Sequence, residues 1–189
     1  MDEEYYPWGG EFTACDPQGS VAVVLLTTTY RPPASVAIYG SLKTENIGVE
    51  KIVANVISNP YIRYLIVCGE DIRGHRSGAS LLALSANGID ANHRIIDAPG
   101  AIPYIENLDE PALERFQQQI TTVDLIGEND HHRIRQVIDE YTAKKTHCFG
   151  KPYIALRLTP TAERSLEDKR AIHARIIVDY LGHVSKRGE

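Results

Sequence analysis

Along the chain, short unbroken apolar runs alternate with longer stretches in which apolar residues recur every three or four positions. Val21 to Leu26 (VAVVLL) is a continuous aliphatic run bounded by Gly19 and Thr27, the pattern of a strand covered on both faces. From Asn46 to Asn59, the residues Ile47, Val49, Ile52, Val53, Val56 and Ile57 fall near helical spacing, and Asn59-Pro60 ends the run; this predicts an amphipathic helix. Tyr61 to Cys68 (YIRYLIVC) is strand-like again and leads into the polar loop GEDIRGHRSG. ASLLALSANG then predicts a helix stopping at Gly88. Further on, Arg94 to Asp97 reads as a short strand, APGAIP as a turn, and Pro111 to Gln119 as a helix. Thr122 to Ile126 reads as a strand, His131 to Lys145 as a helix and Tyr153 to Leu158 as a final strand. The stripe Ile172, Ile176, Ile177, Tyr180 and Leu181 predicts a long helix from Thr161 to about His183.

Covered strands alternating with helices imply an α/β fold: a Rossmann-like, three-layer domain with a mainly parallel central sheet. The expected organisation is an N-terminal segment over 1–19, a core over 20–149, and a C-terminal strand and helix extension over 150–189 packed on the same domain. Lys144 to Pro152 (KKTHCFGKP) has loop composition at that last boundary. The first ten residues and the terminal KRGE are expected to fray.

Composition narrows the function. With 189 residues, 43% hydrophobic and 24% charged, the chain has an ordinary globular composition. A net charge of −5 without a basic block argues against nucleic acid as a partner. Three widely spaced cysteines, Cys15, Cys68 and Cys148, fit neither a disulfide framework nor a paired-cysteine metal knuckle, so a reducing, cytoplasmic setting is expected. The acidic, aromatic start is unlike a secretory signal. No stretch approaches the ~20 apolar residues of a spanning helix, so no transmembrane segment is expected in this chain. GSVAVVLL is not a dinucleotide fingerprint, because no paired-glycine phosphate loop follows the strand.

Ligands of open α/β sheets bind beyond the carboxyl ends of the strands, and the loop Cys68 to Gly78 leaves such an end. It holds His75 between Gly74 and Gly78, with Gly69, Glu70, Asp71 and Ser77 close in sequence. Flanking glycines let backbone approach a bulky ligand, and His75 can offer an imidazole nitrogen to a metal or a proton. Asp71 or Glu70 is the expected carboxylate orienting that ring; an unengaged surface histidine is the competing reading. Thr44, Glu45 and Asn46 form a polar cluster at the start of the first predicted helix, where Thr44 or Asn46 is expected to cap it. Gly100, Ala101, Ile102 and Pro103 form a turn able to wall a ligand. His131-His132 and His147-Cys148 are expected in solvated or structural roles, Cys68 as a packed thiol, and Tyr5, Tyr6 and Trp8 in packing.

HRSG, a histidine followed three places later by glycine, resembles the HxxG element of cobalamin-binding proteins. In the usual DxHxxG form the carboxylate stands two residues before the histidine, whereas here Arg73 holds that place and Asp71 is four before. Four ordered blocks carry a closer resemblance: KTENIGVEKIVANVISNPYIRYLIVCG (Lys43 to Gly69), GHRSGASLLALSANGID (Gly74 to Asp90), GAIPYIENL (Gly100 to Leu108) and ERFQQQI (Glu114 to Ile120). Together, over roughly Ser20 to Gly127, the chain resembles the A-subunit of tetrahydromethanopterin S-methyltransferase. The resemblance implies a corrinoid carrier that binds cobalamin or a related cobamide, with His75 as the lower axial ligand of cobalt. It implies a methyl group taken from methyl-tetrahydromethanopterin and passed to coenzyme M, with catalysis shared with partner methyltransferase subunits. It implies as corrinoid-binding candidates Gly69, Asp71, Gly74, His75, Ser77 and Gly78, then Thr44, Glu45 and Asn46, and Gly100, Ala101, Ile102 and Pro103.

In that family the chain ends in a linker and a membrane anchor, whereas this one ends in the charged, amphipathic TAERSLEDKRAIHARIIVDYLGHVSKRGE. A soluble homologue is therefore expected, reaching any membrane complex only through other subunits. A carrier for another one-carbon pathway, an interaction module that has lost the corrinoid, and a flavodoxin-like nucleotide-binding enzyme remain the alternatives.

Overall fold

The computed structural model describes residues 5–155 together with 170–172, 176–179 and 184–186. The chain divides into two compact units, 1–157 and 158–189. In the first, the VAVVL run forms β2 (Val21–Leu25), all five of its residues buried. It pairs in parallel with β3 (Ile38–Ser41) on one side and β4 (Tyr64–Gly69) on the other, and β5 (Thr121–Ile126) continues the parallel set beyond β4. An edge strand, β1 (Phe12–Ala14), runs antiparallel to β3, so the sheet order is β1-β3-β2-β4-β5. This is the expected Rossmann-like α/β layering.

Strand side chains alternate between two cores, as the two-residue pleat requires. Ala22, Val24, Leu65 and Val67 pack on the face carrying α1 (Ile47–Ser58), α2 (Ser77–Asn87) and α3 (Glu110–Gln119). Val21, Val23, Leu25, Ile66 and Cys68 face Ile134, Val137 and Ile138 of α4 (His131–Thr142). Helices on both faces explain why β2 reads as an unbroken apolar run rather than an alternating one. Cys68 is fully buried, its thiol directed at the Val24 carbonyl and pushed by burial up to about 12, the packed role expected of it.

From β2 the chain turns toward β3, and from β4 it runs toward β5 on the other side. The strand order therefore reverses between β2 and β4, the place where open α/β sheets bind ligands. At the opposite pole, the strap 147–153 is tied down. The Arg63 and Arg115 guanidiniums lie 5.1 Å and 4.5 Å from the Phe149 ring centroid, and the Phe149 and Tyr153 amides donate to the Pro60 and Ile57 carbonyls.

Several expectations are corrected. The first ten residues do not fray from Tyr5 onward: Tyr6 N donates to Ser58 Oγ, and Trp8 and Asn55 exchange two hydrogen bonds, tying this segment to α1. Two strands, β1 and β3, are absent from the sequence-based expectation, because they are only 3 and 4 residues long and carry little periodic signal. Arg94 to Asp97 forms only isolated bridges, Ile89 with Ile95 and Arg94 with Tyr104. Tyr153 to Ala155 is irregular, its backbone drawn to the end of α1 rather than to a sheet edge; the remainder of that predicted strand lies outside the described residues. Where the predicted C-terminal helix overlaps described residues it is replaced by β6 (Arg170–Ile172) and β7 (Ile176–Asp179), which form an antiparallel sheet with β8 (Val184–Lys186); the rest of its span, 161–169, 173–175 and 180–183, lies outside the described residues. Ile176, Ile177 and Val178 are consecutive β-branched residues, stiff at χ1 and better suited to a strand than to a helix. Tyr180 and Leu181 of the predicted stripe lie outside the described residues.

Candidate functional site

The loop leaving β4 is built from local constraints. Gly74 sits at φ +95°, a conformation that side chains rarely adopt, and Arg76 follows in the left-handed region at φ 46°. Arg76 occupies the cap position of α2 but makes no side-chain cap bond. Asp71 does that work instead, its Oδ1 and Oδ2 accepting from the Gly78 and Ala79 amides at 3.1 Å and 2.9 Å. A carboxylate on the first-turn amides of a helix satisfies donors that otherwise lack partners and suits the positive end of the helix dipole. Asp71 thus shapes the loop, with Ser77 buried as the first residue of α2. Glu70 turns the other way, its Oε1 accepting from Asn129 Nδ2. Neither carboxylate is hydrogen-bonded to His75, which corrects the expectation that one of them orients the ring.

The orienting group is Glu45. Its Oε2 lies 3.1 Å from His75 Nδ1, and its Oε1 accepts from the Ile102 amide at 3.1 Å. The Glu45 side chain is 4% exposed and that of His75 60% exposed, so a buried carboxylate stands behind an open imidazole. Burial raises the Glu45 carboxyl, but the bonds from its own amide, from Ile102 N–H and from His75 outweigh that effect and hold it below its ordinary value. With Nδ1 held by the carboxylate, no described residue bonds Nε2, which is the nitrogen left to meet a ligand.

The neighbouring turn closes on the same pair. A side-chain carbon at Gly100 would lie 2.7 Å from both the His75 carbonyl and Ser80 Oγ, and 3.0 Å from Glu45 Cγ. Only glycine permits that approach. The structure therefore brings Glu45, Gly74, His75, Gly100 and Ile102 together from three segments far apart in sequence. Ala101 lies exposed on this turn, and Pro103 anchors its far side by accepting from Ile95 N–H. Gly69 ends β4, its amide donating to Glu128 and its carbonyl accepting from Gly127. Thr44 and Asn46 are caps: Thr44 Oγ1 accepts from the Gly48 amide at 2.9 Å, and Asn46 Oδ1 from Ile47 at 2.8 Å.

A cavity of about 350 Å³ lies elsewhere, between α1 and strands β1, β3 and β2; its lining includes Thr44 but neither Glu45 nor His75. The His75 side chain is instead largely open to solvent. Sequence marks Glu45 as a pocket residue but not as the partner of His75. The 30 residues between them carry no local signal of the pairing.

The family model described as the A-subunit of tetrahydromethanopterin S-methyltransferase, MtrA, matches residues 2–165. A Methanosarcina acetivorans protein provisionally named the A-subunit of methyltransferase Mtx is 49% identical over 142 residues, 75% of this chain and 72% of the relative. The A-subunit of tetrahydromethanopterin S-methyltransferase from the same organism is 43% identical over 162 residues, 84% of this chain and 67% of the relative. The second form of that A-subunit in Methanothermobacter marburgensis is 39% identical over 164 residues, 85% of this chain and 89% of the relative. The matched span takes in every segment that meets at His75, and on these matches the chain belongs to the A-subunit family of tetrahydromethanopterin S-methyltransferase, a family of methyltransferase subunits.

Proposed function

We propose that this chain is the corrinoid carrier of a methyltransferase, with His75 Nε2 as the lower axial ligand of cobalt. The observation that supports it most is the buried Glu45 carboxylate on Nδ1 of a largely exposed imidazole. A carboxylate behind a ligating histidine fixes the tautomer and raises the basicity of the other nitrogen. The donor set also fits. Among the described residues no group of three or more His, Cys, Asp or Glu side chains is placed to hold a bare ion. A single protein donor on an open platform suits a metal that arrives with its in-plane ligands supplied by a macrocycle. When bound, the corrinoid supplies cobalt chemistry that accepts and releases a methyl group.

The protein's own residues position and support. Glu45 holds the ring upright and compensates the positive charge that ligation draws onto the imidazole. Asp71 fixes the start of α2 and with it the loop carrying His75. Gly100 and Ile102 hold the adjoining turn against Glu45. On this reading the donor is methyl-tetrahydromethanopterin and the acceptor coenzyme M, and partner subunits would bring both to the platform and join the carrier to a membrane complex. Among the described residues no helix is long and apolar enough to cross a membrane.

The test is the ultraviolet-visible spectrum of protein incubated with hydroxocobalamin and desalted, for the wild type and for His75→Ala. Retained corrin whose spectral shift disappears in His75→Ala is the expected result. A folded wild type that retains no corrin sinks the carrier reading and leaves an interaction module in its place.

A further inference from the structure

The cavity between α1 and strands β1, β3 and β2 has no part in the histidine site, since neither Glu45 nor His75 lines it. It originates in the sheet. On the face toward α1, one rung runs Phe12, Gly40, Val24 across β1, β3 and β2, and the next runs Ile38, Ala22, Leu65 across β3, β2 and β4. Gly40 and Ala22 bring almost no side-chain bulk, and α1 closes over a hollow of about 350 Å³. Its roof is one stripe of the helix, Ile47, Lys51, Ile52, Asn55 and Val56. Native interiors hold few voids larger than a water molecule. This one falls instead within the ~300–1,000 Å³ of small-molecule sites, which are mostly apolar with a few placed polar groups.

The polar groups on the lining are engaged with one exception. Glu11 pairs with Lys43 at 2.5 Å and also accepts from Ser41 Oγ. Thr44 Oγ1 is taken by the Gly48 amide, and the Asn55 amide exchanges two hydrogen bonds with Trp8. Lys51 lines the cavity and, among the described residues, has no hydrogen-bond or ion-pair partner. The first turn of α1 borders the same space through Ile47 and Gly48, so the positive end of the helix dipole adds to the Lys51 charge. We propose that this cavity binds an amphipathic monoanion, a medium-chain carboxylate whose aliphatic body fills the hollow and whose carboxylate meets Lys51. A neutral ligand leaves the ammonium unused, and a cationic one is repelled by it. Ile47, 46% exposed, also lines the cavity and covers the chain where it enters. The site stands independently of the corrinoid reading.

The measurement is a titration of the isotope-labelled full chain with octanoate, octan-1-ol and octylammonium, followed by two-dimensional amide NMR. Octanoate is expected to shift the Gly40, Ile47, Gly48 and Ile52 amides saturably and to bind about fivefold more tightly than octan-1-ol, the worth of one partly exposed ion pair. Octylammonium is expected to bind more weakly than either. Lys51→Met, a substitution that a helix tolerates, should abolish the preference for octanoate over octan-1-ol, and Lys51→Arg should keep it. Ile47→Ser should weaken both ligands by about fivefold, the effect of uncovering half an isoleucine, and His75→Ala should change neither. If octanoate gives no saturable shift at those amides in the folded wild type, or shifts centred on the His75 loop, the site is wrong. Equal affinity for octanoate and octan-1-ol overturns the anionic assignment. A chain that takes octanoate but no corrin keeps this site while the carrier reading fails.

Discussion

Glu45 is the residue on which the site turns, because one buried carboxylate holds both the imidazole and the adjoining turn. Its carboxyl is held below the ordinary carboxylate value of about 4.3. A depressed carboxyl contributes stability that is present above the unfolded value and is lost as pH falls through the folded one. Glu45→Gln keeps the shape but removes that titration. The urea midpoint of the wild type, followed from pH 7 to about pH 3, should therefore fall more steeply than that of Glu45→Gln, and equal slopes would refute the assignment. At neutral pH the same variant should bind hydroxocobalamin with a weaker histidine-ligated spectrum, since an amide supports imidazole basicity less than a carboxylate does. The importance of His75 was legible in its glycine-flanked loop. That of Glu45 as its partner was not, because the nearer acids Glu70 and Asp71 offered a local solution that the backbone spends on Asn129 and on capping α2.

Among the elements, α1 matters most, since it begins beside Glu45 and braces the turns that surround the site. Glu50 in its first turn is buried and accepts from the Glu106 and Asn107 amides and from Asn107 Nδ2, fixing the segment after the Gly100 turn. Its C-terminus has no glycine cap; Asn59, in extended conformation, ends it ahead of a turn at Pro60. The carbonyls left there are satisfied from another element: Gln119 Nε2, at the end of α3, donates to Val56, Asn59 and Ile62, and Arg115 Nε fixes the amide by donating to Gln119 Oε1. Gln119→Leu preserves bulk but leaves several buried carbonyls unpaired, so it should cost about 1–3 kcal/mol, read as a lower urea midpoint at unchanged slope. A midpoint equal to the wild type would mean that water replaces the amide. The helices were legible because twelve or so residues of periodicity average out exceptions, as α1 and α4 show. The short strands β1 and β3 were not, since 3 or 4 residues acquire their identity only from a neighbour to pair with.

For the whole molecule, the first unit has its own sheet, two cores and the complete histidine platform. The strap over 147–153 is bound at the pole opposite the platform by Arg63, Arg115 and Phe149. A chain ending at residue 157 should therefore fold cooperatively and bind hydroxocobalamin with the affinity of the full chain. One ending at residue 142 loses the Phe149 anchor and should melt at a lower temperature. Calorimetry and a corrin titration on the two truncations check both statements; loss of binding in the longer one would show that the second unit is part of the site.

The sequence by itself determined the α/β class, the central buried strand, the principal helices and the loop that carries His75, because hydrophobic periodicity and glycine placement act over a few residues. The family was legible too, since its ordered blocks are a property of the linear chain. Only the tertiary structure decided that Glu45 rather than Asp71 or Glu70 orients the imidazole, and that Gly100 is required by contact with His75, Ser80 and Glu45. It also decided that Ile172, Ile176 and Ile177 of the C-terminal stripe lie in strands rather than a helix. These features share a physical cause. Each depends on which residues meet across long loops, where partner choice is set by burial and by competition among hydrogen-bond donors and acceptors rather than by spacing along the chain.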